Sequence, residues 1–413
     1  MSAVDIEDVV IVGGGEASAR AALELRSQGF AGRVTLIGEE RHAPYERPPL
    51  SKALITTPQT ARLPTIGDAS RLDELNVASL RGVAAVAIER NEQRVRLADG
   101  RRIAYDRLIL ATGARARKLT APGAERALTV RTFEDGVAIR EALRGARRVA
   151  IIGGGFIGLE LAAGARSLGC EVVVLEADTR LLRRSTPEPL AAVIAGKHAR
   201  EGVDILLGVR IDGVEFAEAG AAVALADGRS IAADVVVAGI GAVPSTELAV
   251  EAGLAVDNGV TVDARLASSD SNIYAIGDCA SFPHELFDGR RVRLEAWRNA
   301  FDQGVHVART LLGGEDPYIA LPWFWSDRYD VTLQLAGLPE ADDKVVTRPL
   351  GEGAFVQFHL GRAGRLVAVG GYGPISVIAK DVRIAERLIA ARATPSAEVL
   401  GDPAVSLKKL LRM

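Results

Sequence analysis

Val9-Val-Ile-Val-Gly-Gly-Gly-Glu-Ala-Ser18 lies near the start of a 413-residue chain, and Val149-Ala-Ile-Ile-Gly-Gly-Gly-Phe-Ile-Gly158 repeats its pattern further on. Each copy opens with a β-branched apolar run suited to a buried parallel strand. Each then passes through three glycines into a helical pattern, over 17–27 in the first copy and 157–168 in the second. That strand–turn–helix context gives weight to a G-x-G-x-x-G spacing that would be weak alone. Gly13 and Gly153 permit the tight turn, Gly15 and Gly155 let a pyrophosphate approach the backbone, and the helix N-terminus supplies amide donors and the positive end of the dipole. Ala17 and Ile157 sit in the first helical turns. Ser18 stands where Gly158, the third glycine of the second copy, allows close helix–strand packing. Each copy therefore predicts a dinucleotide site.

An acidic residue closes the next strand in both copies: Val34-Thr-Leu-Ile-Gly-Glu39 and Glu171-Val-Val-Val-Leu-Glu176. A carboxylate there accepts hydrogen bonds from the ribose hydroxyls of an adenosine. Glu176 would also repel a 2′-phosphate, so NADH is expected over NADPH at the second site, with Arg180, Arg183 and Arg184 close enough in sequence to fold back.

Composition narrows the chemistry. The chain is 48% hydrophobic and 25% charged, as in ordinary soluble proteins, and at this length roughly three quarters of its surface can be buried without cross-links. Two cysteines exclude a disulfide scaffold, a four-cysteine zinc site and a cysteine-held iron–sulfur cluster. No metal site is expected, and redox chemistry has to be borrowed from a cofactor. With 53 acidic and 50 basic residues, attraction to nucleic acid or to an anionic membrane is not expected. Residues 366–379 form the longest stretch without an ionisable group, yet Gly370, Gly371, Gly373 and Pro374 break it well short of the ~18 apolar residues of a spanning helix. A cytoplasmic location is expected.

Two further segments bring a family into view. Tyr105-Asp-Arg-Leu-Ile-Leu-Ala-Thr-Gly-Ala114 and Ser271-Asn-Ile-Tyr-Ala-Ile-Gly-Asp278 both read as buried strands ending in glycine turns. Two G-x-G-x-x-G units, an intervening A-T-G segment and a late I-Y-A-I-G-D-C run together resemble the two-dinucleotide flavoprotein reductases, over nearly the whole chain. The resemblance implies a glutathione-reductase-like α/β fold with two Rossmann-like domains, FAD on the first unit and NADH on the second. It implies flavin contacts from Gly13, Gly15, Ala17, Ser18, Glu39, Val86, Ala111, Thr112, Gly113, Arg131, Gly277 and Asp278, the last on the ribityl chain. Gly153, Gly155, Ile157, Gly158, Glu160, Glu176 and Gly241 would hold the nicotinamide dinucleotide.

Tyr45-Glu-Arg-Pro-Pro-Leu-Ser-Lys52 selects a branch. Disulfide reductases and NADH peroxidases carry cysteines in this region, and residues 40–60 contain none. The R-P-P-L-S-K run resembles instead the reductases that feed small iron–sulfur proteins, the putidaredoxin reductase and biphenyl-dioxygenase reductase-component group. Arg293-Leu-Glu-Ala-Trp-Arg-Asn-Ala300 and Pro322-Trp-Phe-Trp-Ser-Asp327 look like the same branch. By this resemblance Arg47, Pro48 and Lys52 reach the flavin, Glu160 pairs with Lys52, Trp297 lies beside the isoalloxazine and Glu295 near the nicotinamide. Lys52 also stands out by itself: only seven lysines accompany forty-three arginines, and a compact ammonium after a rigid Pro-Pro segment suits a reduced, anionic flavin. The bland alternatives are an exposed lysine, a glutamate stabilised at a helix start, and tryptophans that belong to a core.

Three domains are expected: an FAD domain of 1–116 and 247–322, an NAD domain of 117–246 and a small α+β domain of 323–413. Val331-Thr-Leu-Gln-Leu335 and Phe355-Val-Gln-Phe-His-Leu360 read as strands of the last, and 377–390 as an amphipathic helix. Gly370-Gly-Tyr-Gly-Pro374 stands where the resemblance implies an asparagine-containing turn. The expected reaction passes a hydride from NADH to FAD and then single electrons to an acidic 2Fe-2S ferredoxin serving a cytochrome P-450 monooxygenase or a ring-hydroxylating dioxygenase. Arg290, Arg291, Arg293, Arg298, Arg328, Lys380 and Arg383 are candidate docking charges on a monomer or weak dimer. A rubredoxin acceptor, a monodehydroascorbate-reductase-like activity and a redox-sensing role like that of apoptosis-inducing factor are the alternatives.

Overall fold

The computed structural model describes residues 6–57, 63–66, 69–218 and 220–412. Its contacts group into two compact units.

The first unit comprises Met1–Glu46, Leu63–Arg115 and Pro244–Phe324. Its main sheet has five parallel strands in the order Ile273–Ala275, Arg107–Leu110, Asp8–Val12, Arg33–Gly38, Val77–Arg81. The β-branched run at Asp8–Val12 occupies the centre because both of its faces are covered, as its near-complete burial requires. From there the chain builds the sheet outward through Arg33–Gly38 and Val77–Arg81, then returns to add Arg107–Leu110 on the opposite side. Strand order thus reverses at the carboxyl end of Asp8–Val12, the place where open parallel sheets form a ligand crevice. Helix Glu16–Ser27 leaves that end, and helix Trp297–Leu311 packs against it. The two approach closely at Gly304, where a Cβ would stand 2.6 Å from the Ala17 carbonyl oxygen.

The second unit comprises Arg47–Arg62, Ala116–Val243 and Trp325–Met413. Four parallel strands lie in the order Val203–Leu207, Glu171–Glu176, Arg148–Ile152, Val235–Ala238, and the order reverses again at the strand that precedes the glycines. The Pro48–Ser51 turn and helix Ala53–Thr56 pack on helices Phe133–Leu143 and Phe156–Ser167. Small residues allow it: a Cβ on Gly136 would stand 2.6 Å from Leu54 Cδ2, and one on Gly164 would press on Ile55 Cγ2 at 3.1 Å.

A five-stranded antiparallel sheet follows, in the order Trp323–Arg328, Val331–Gly337, Leu366–Gly373, Ala354–Leu360, Lys344–Gly351, covered by helix Ile375–Ala390. Gly370-Gly-Tyr-Gly-Pro374, which departs from the asparagine-containing turn that the resemblance implies, is largely strand. The glycines lie within strand Leu366–Gly373, and only Pro374 leaves it to cap the helix. They serve packing, since Cβ atoms on Gly370 and Gly371 would meet Leu190 Cδ1 at 2.4 Å and Val382 Cγ2 at 2.7 Å. Among the described residues no helix is long and apolar enough to cross a membrane, and no group of His, Cys, Asp and Glu side chains could hold a metal.

Candidate functional sites: two nucleotide crevices and a buried carboxylate

In the first unit, three strands deliver their ends to one crevice. Gly13 follows Val12 with φ +133°, and a Cβ there would stand 2.1 Å from the Ala111 carbonyl oxygen, so only glycine fits. Gly15 is different in kind: a Cβ on it would meet nothing within 4 Å, and it caps helix Glu16–Ser27 without a side-chain hydrogen bond. The loop leaves open space in front of free helix amides, which fits a pyrophosphate. Ser18 is fully buried and donates to the Gly15 carbonyl at 2.8 Å, so a small hydroxyl replaces the third glycine at no cost in packing.

Ala111, Thr112 and Gly113 continue from Arg107–Leu110, and Thr112 Oγ1 donates to the Ser245 carbonyl at 2.6 Å. Gly277 and Asp278 continue from Ile273–Ala275; Gly277 has φ +75°, and a Cβ on it would stand 3.2 Å from that of Ala17. Glu39 is exposed just past Arg33–Gly38, and Val86 is half-buried in strand Ala85–Glu89. Trp297 opens its helix, and Glu295 pairs with Arg293 at 2.7 Å.

Two residues of this crevice escaped the sequence reading. Glu16, the first residue of its helix, is buried and bonded to Arg20 at 2.7 Å, and burial pushes its carboxyl above the ordinary range. Gln303, wholly buried, accepts the Gly277 amide at 2.7 Å. Glu16 lies inside the first glycine motif at a position its spacing leaves unspecified, Gln303 lies in no quoted motif, and nothing in the local sequence marks either.

The second unit repeats the crevice. A Cβ on Gly153 (φ +106°) would meet the Gly239 carbonyl oxygen at 2.5 Å, one on Gly158 the Gly153 carbonyl oxygen at 2.1 Å, while the surroundings of Gly155 are open to 3.9 Å. Ile157 is exposed on the first turn of helix Phe156–Ser167. Glu176 is held by two backbone amides, Gly154 to Oε2 at 2.6 Å and Asp178 to Oε1 at 2.8 Å. Arg180 is engaged with the carbonyls of Leu181, Arg183 and Thr186, and Arg183 with Asp178. Arg184 instead reaches toward Gly241, its Nη2 standing 2.9 Å from where a Cβ of that glycine would be. Both crevices thus fit a dinucleotide.

The same unit holds a third constellation. Glu160 lies on the second turn of helix Phe156–Ser167 and is only 4% exposed, yet its carboxylate is fully met: Ser51 Oγ donates to Oε2 at 2.5 Å, Ser326 Oγ donates to Oε1, and Lys52 Nζ lies 3.3 Å from Oε1. Lys52 stands 4.0 Å from Asp327 Oδ2 and 4.9 Å from the centre of the Trp325 ring. Arg47 donates to the Arg131 carbonyl, and Arg131 is fixed by the Thr132 capping box, whose Asp135 accepts the amides of both residues. Pro48 starts the turn that aims Lys52.

Ser51, Ser326 and Asp327 sit inside the quoted motifs, but their partners are far away in sequence and no spacing rule finds them. One docking candidate is corrected: Arg328 is 4% exposed beneath Phe156, and burial lowers the pKa of its guanidinium. Lys380 and Arg383 are exposed. Cys170 and Cys279 are both buried free thiols, pushed up by burial, so neither supplies a reactive thiolate.

Comparison with known proteins agrees with this anatomy. A family model described as pyridine nucleotide-disulphide oxidoreductase matches residues 7–304, and one described as reductase C-terminal matches 323–411. The ferredoxin–NAD(+) reductase component of the anthranilate 1,2-dioxygenase system of Burkholderia cepacia is 42% identical over 97% of this chain and 98% of its own. Putidaredoxin reductase of Pseudomonas putida is 38% identical over 98% and 97%. Among solved structures, the ferredoxin reductase for the CYP199A2 system of Rhodopseudomonas palustris superposes with a TM-score of 0.92 at 35% identity, covering 97% of this chain and 99% of that one. A covalent putidaredoxin reductase–putidaredoxin complex gives 0.92 at 37%, covering 98% of each.

Proposed function

Because the chain belongs to the pyridine nucleotide-disulphide oxidoreductase family, we propose that it is an NADH-dependent flavoprotein reductase whose electron acceptor is a ferredoxin of an oxygenase system. The observation that carries this reading is the Lys52–Glu160 pair, its carboxylate buried and braced by Ser51 and Ser326, in a chain whose two cysteines are buried free thiols. A disulfide-reducing relative needs a thiol where this protein offers an ammonium. When bound, FAD supplies the chemistry that takes two electrons as a hydride and gives them up singly.

The protein's own part is positional. The amides behind Gly13 and Gly15 would receive the flavin pyrophosphate, with Gly277 and Asp278 beside the ribityl chain. Those behind Gly153 and Gly155 would receive the nicotinamide dinucleotide, with Glu176 on its adenosine ribose. Lys52 would place one positive charge where reduction makes the ring negative, and Glu160 would keep that ammonium in place. Trp297 and Glu295 would contribute to the flavin site of the first unit. The three-domain division, the 2Fe-2S nature of the acceptor and a monomeric or weakly dimeric state belong to this proposal.

The test is a stopped-flow assay of NADH-reduced protein against a panel of 2Fe-2S ferredoxins, a rubredoxin and small one-electron acceptors. Rapid reoxidation by at least one ferredoxin is expected. Fast turnover with a small radical and no protein carrier would favour a monodehydroascorbate-reductase-like enzyme, and slow turnover with every acceptor a redox-sensing role.

A further inference from the structure

Asp327 takes part in more contacts than a half-exposed aspartate needs. It lies on strand Trp323–Arg328, two residues from Trp325 and so on the same face of the strand. Its Oδ1 accepts the hydroxyl of Thr332, a buried residue on the neighbouring strand Val331–Gly337, at 2.8 Å. Its Oδ2 accepts the Trp325 indole N–H at 3.1 Å and lies 4.0 Å from Lys52 Nζ. Lys52 in turn stands over the Trp325 ring. The three side chains close a triangle of carboxylate, indole and ammonium, and Thr332 pins one corner of it to the sheet.

Glu160 and Asp327 differ in what they can do for Lys52. Glu160 is buried and saturated by two serine hydroxyls, so it neutralises the ammonium but leaves open which way the lysine chain leans. Asp327 is a second carboxylate near the ammonium and also holds the indole over which that ammonium stands. A cation lies most favourably over a ring face; turning that ring would move the attractive surface away from Lys52.

We propose that Asp327 is a positioning residue, locked by Thr332, which holds Trp325 and Lys52 in one arrangement so that the Lys52 ammonium is presented to the reacting centre in a fixed place. This rests on the reading of Lys52 given above. The part played by Thr332 follows from the same geometry: without its hydroxyl the Asp327 carboxylate is free to rotate about its own bond, and both other contacts loosen together.

The experiment measures the rate of flavin reduction by NADH in the holoenzyme. Asp327→Asn is expected to slow it about three- to tenfold, as for loss of a partly exposed charge-assisted contact, with bound FAD unchanged. Thr332→Val should slow it in the same direction and Thr332→Ser restore it. The Lys52→Met, Asp327→Asn double variant should be no slower than Lys52→Met alone, because both changes remove the same effect. A slow Lys52→Met enzyme beside a native-rate Asp327→Asn enzyme, or fully multiplicative losses in the double variant, would overturn the proposal and leave the Lys52 reading standing. A native rate in Lys52→Met would overturn that reading, and this proposal with it.

Discussion

In the proposed reading, Glu176 is the one residue at a strand end on which the choice of nicotinamide cofactor rests. It closes a buried parallel strand, so its position along the crevice is set by the sheet, and its carboxylate is then oriented by the Gly154 and Asp178 amides. A charge fixed this way repels a 2′-phosphate whether or not the rest of the site adapts. Of the nearby arginines, Arg180 and Arg183 are spent on carbonyls and on Asp178, which leaves Arg184, reaching toward Gly241, as the cation that could oppose this. Glu176→Ala is therefore expected to lower the ratio of kcat/KM for NADH over NADPH by about tenfold or more, mainly through KM for NADH. Steady-state assays with both nucleotides check it; an unchanged ratio would remove Glu176 from the discrimination. Its position in the sequence was enough to suggest this role. The two amides that fix it were not visible there, since backbone donors leave no mark on residue type.

At the scale of elements, the strand–glycine–helix units were legible because three local signals coincide: β-branched burial, a turn only glycine can make, and a helical period. Helices Glu16–Ser27 and Phe156–Ser167 begin within a residue of where that pattern places them. The strand Leu366–Gly373 was not legible, because its glycines are dictated by Leu190 and Val382 pressing from other elements.

Helix Trp297–Leu311 hides a similar long-range demand. Gln303 accepts the Gly277 amide, and since a backbone N–H can only donate, this fixes the side-chain amide with its Nε2 inward, where it has no partner among the described residues. Burying two idle donors is unfavourable, so the residue is best explained by the acceptor it provides to the turn leading into Asp278. Gln303→Met fills the space without that acceptor and strands the Gly277 amide. FAD affinity should fall about five- to tenfold, measured by flavin fluorescence on dilution, while Gln303→Glu, which keeps an acceptor, should lose less. Equal affinity in Gln303→Met and the native protein would exclude the role.

For the whole molecule, four histidines make acid the condition that tests both units together. Burial pushes His198 down to about 3 and His359 to about 4 from an ordinary 6.5, and lowers His284 and His306 as well. His198 is wholly buried on helix Glu188–Arg200, its Nδ1 lying 3.1 Å from the Tyr329 hydroxyl, with the Arg328 guanidinium further opposing a second positive charge. In the unfolded chain these rings take up protons near pH 6.5, whereas in the folded protein they stay neutral until the pH is far lower. The unfolded state therefore binds more protons across that interval. The stability that depends on keeping the rings neutral is complete above about pH 6.5 and is lost as the pH falls toward 4, by up to about 1.4 kcal/mol per pH unit for each histidine. Glu16 and Asp302 act in the opposite sense, since burial raises both, but their effect is confined to the lower end near the ordinary carboxylate range. Thermal unfolding followed from pH 7.5 to 4.5 should thus show Tm steady at first and falling below about 6.5. Because His284 and His306 lie in the first unit and His198 and His359 in the second, both units should weaken over the same range, so flavin release should follow the loss of structure rather than precede it. His198→Phe removes one titrating ring and should flatten the slope by that ring's share. A Tm that stays level down to pH 5, or a His198→Phe slope equal to the native one, would mean the buried rings do not govern the acid limb.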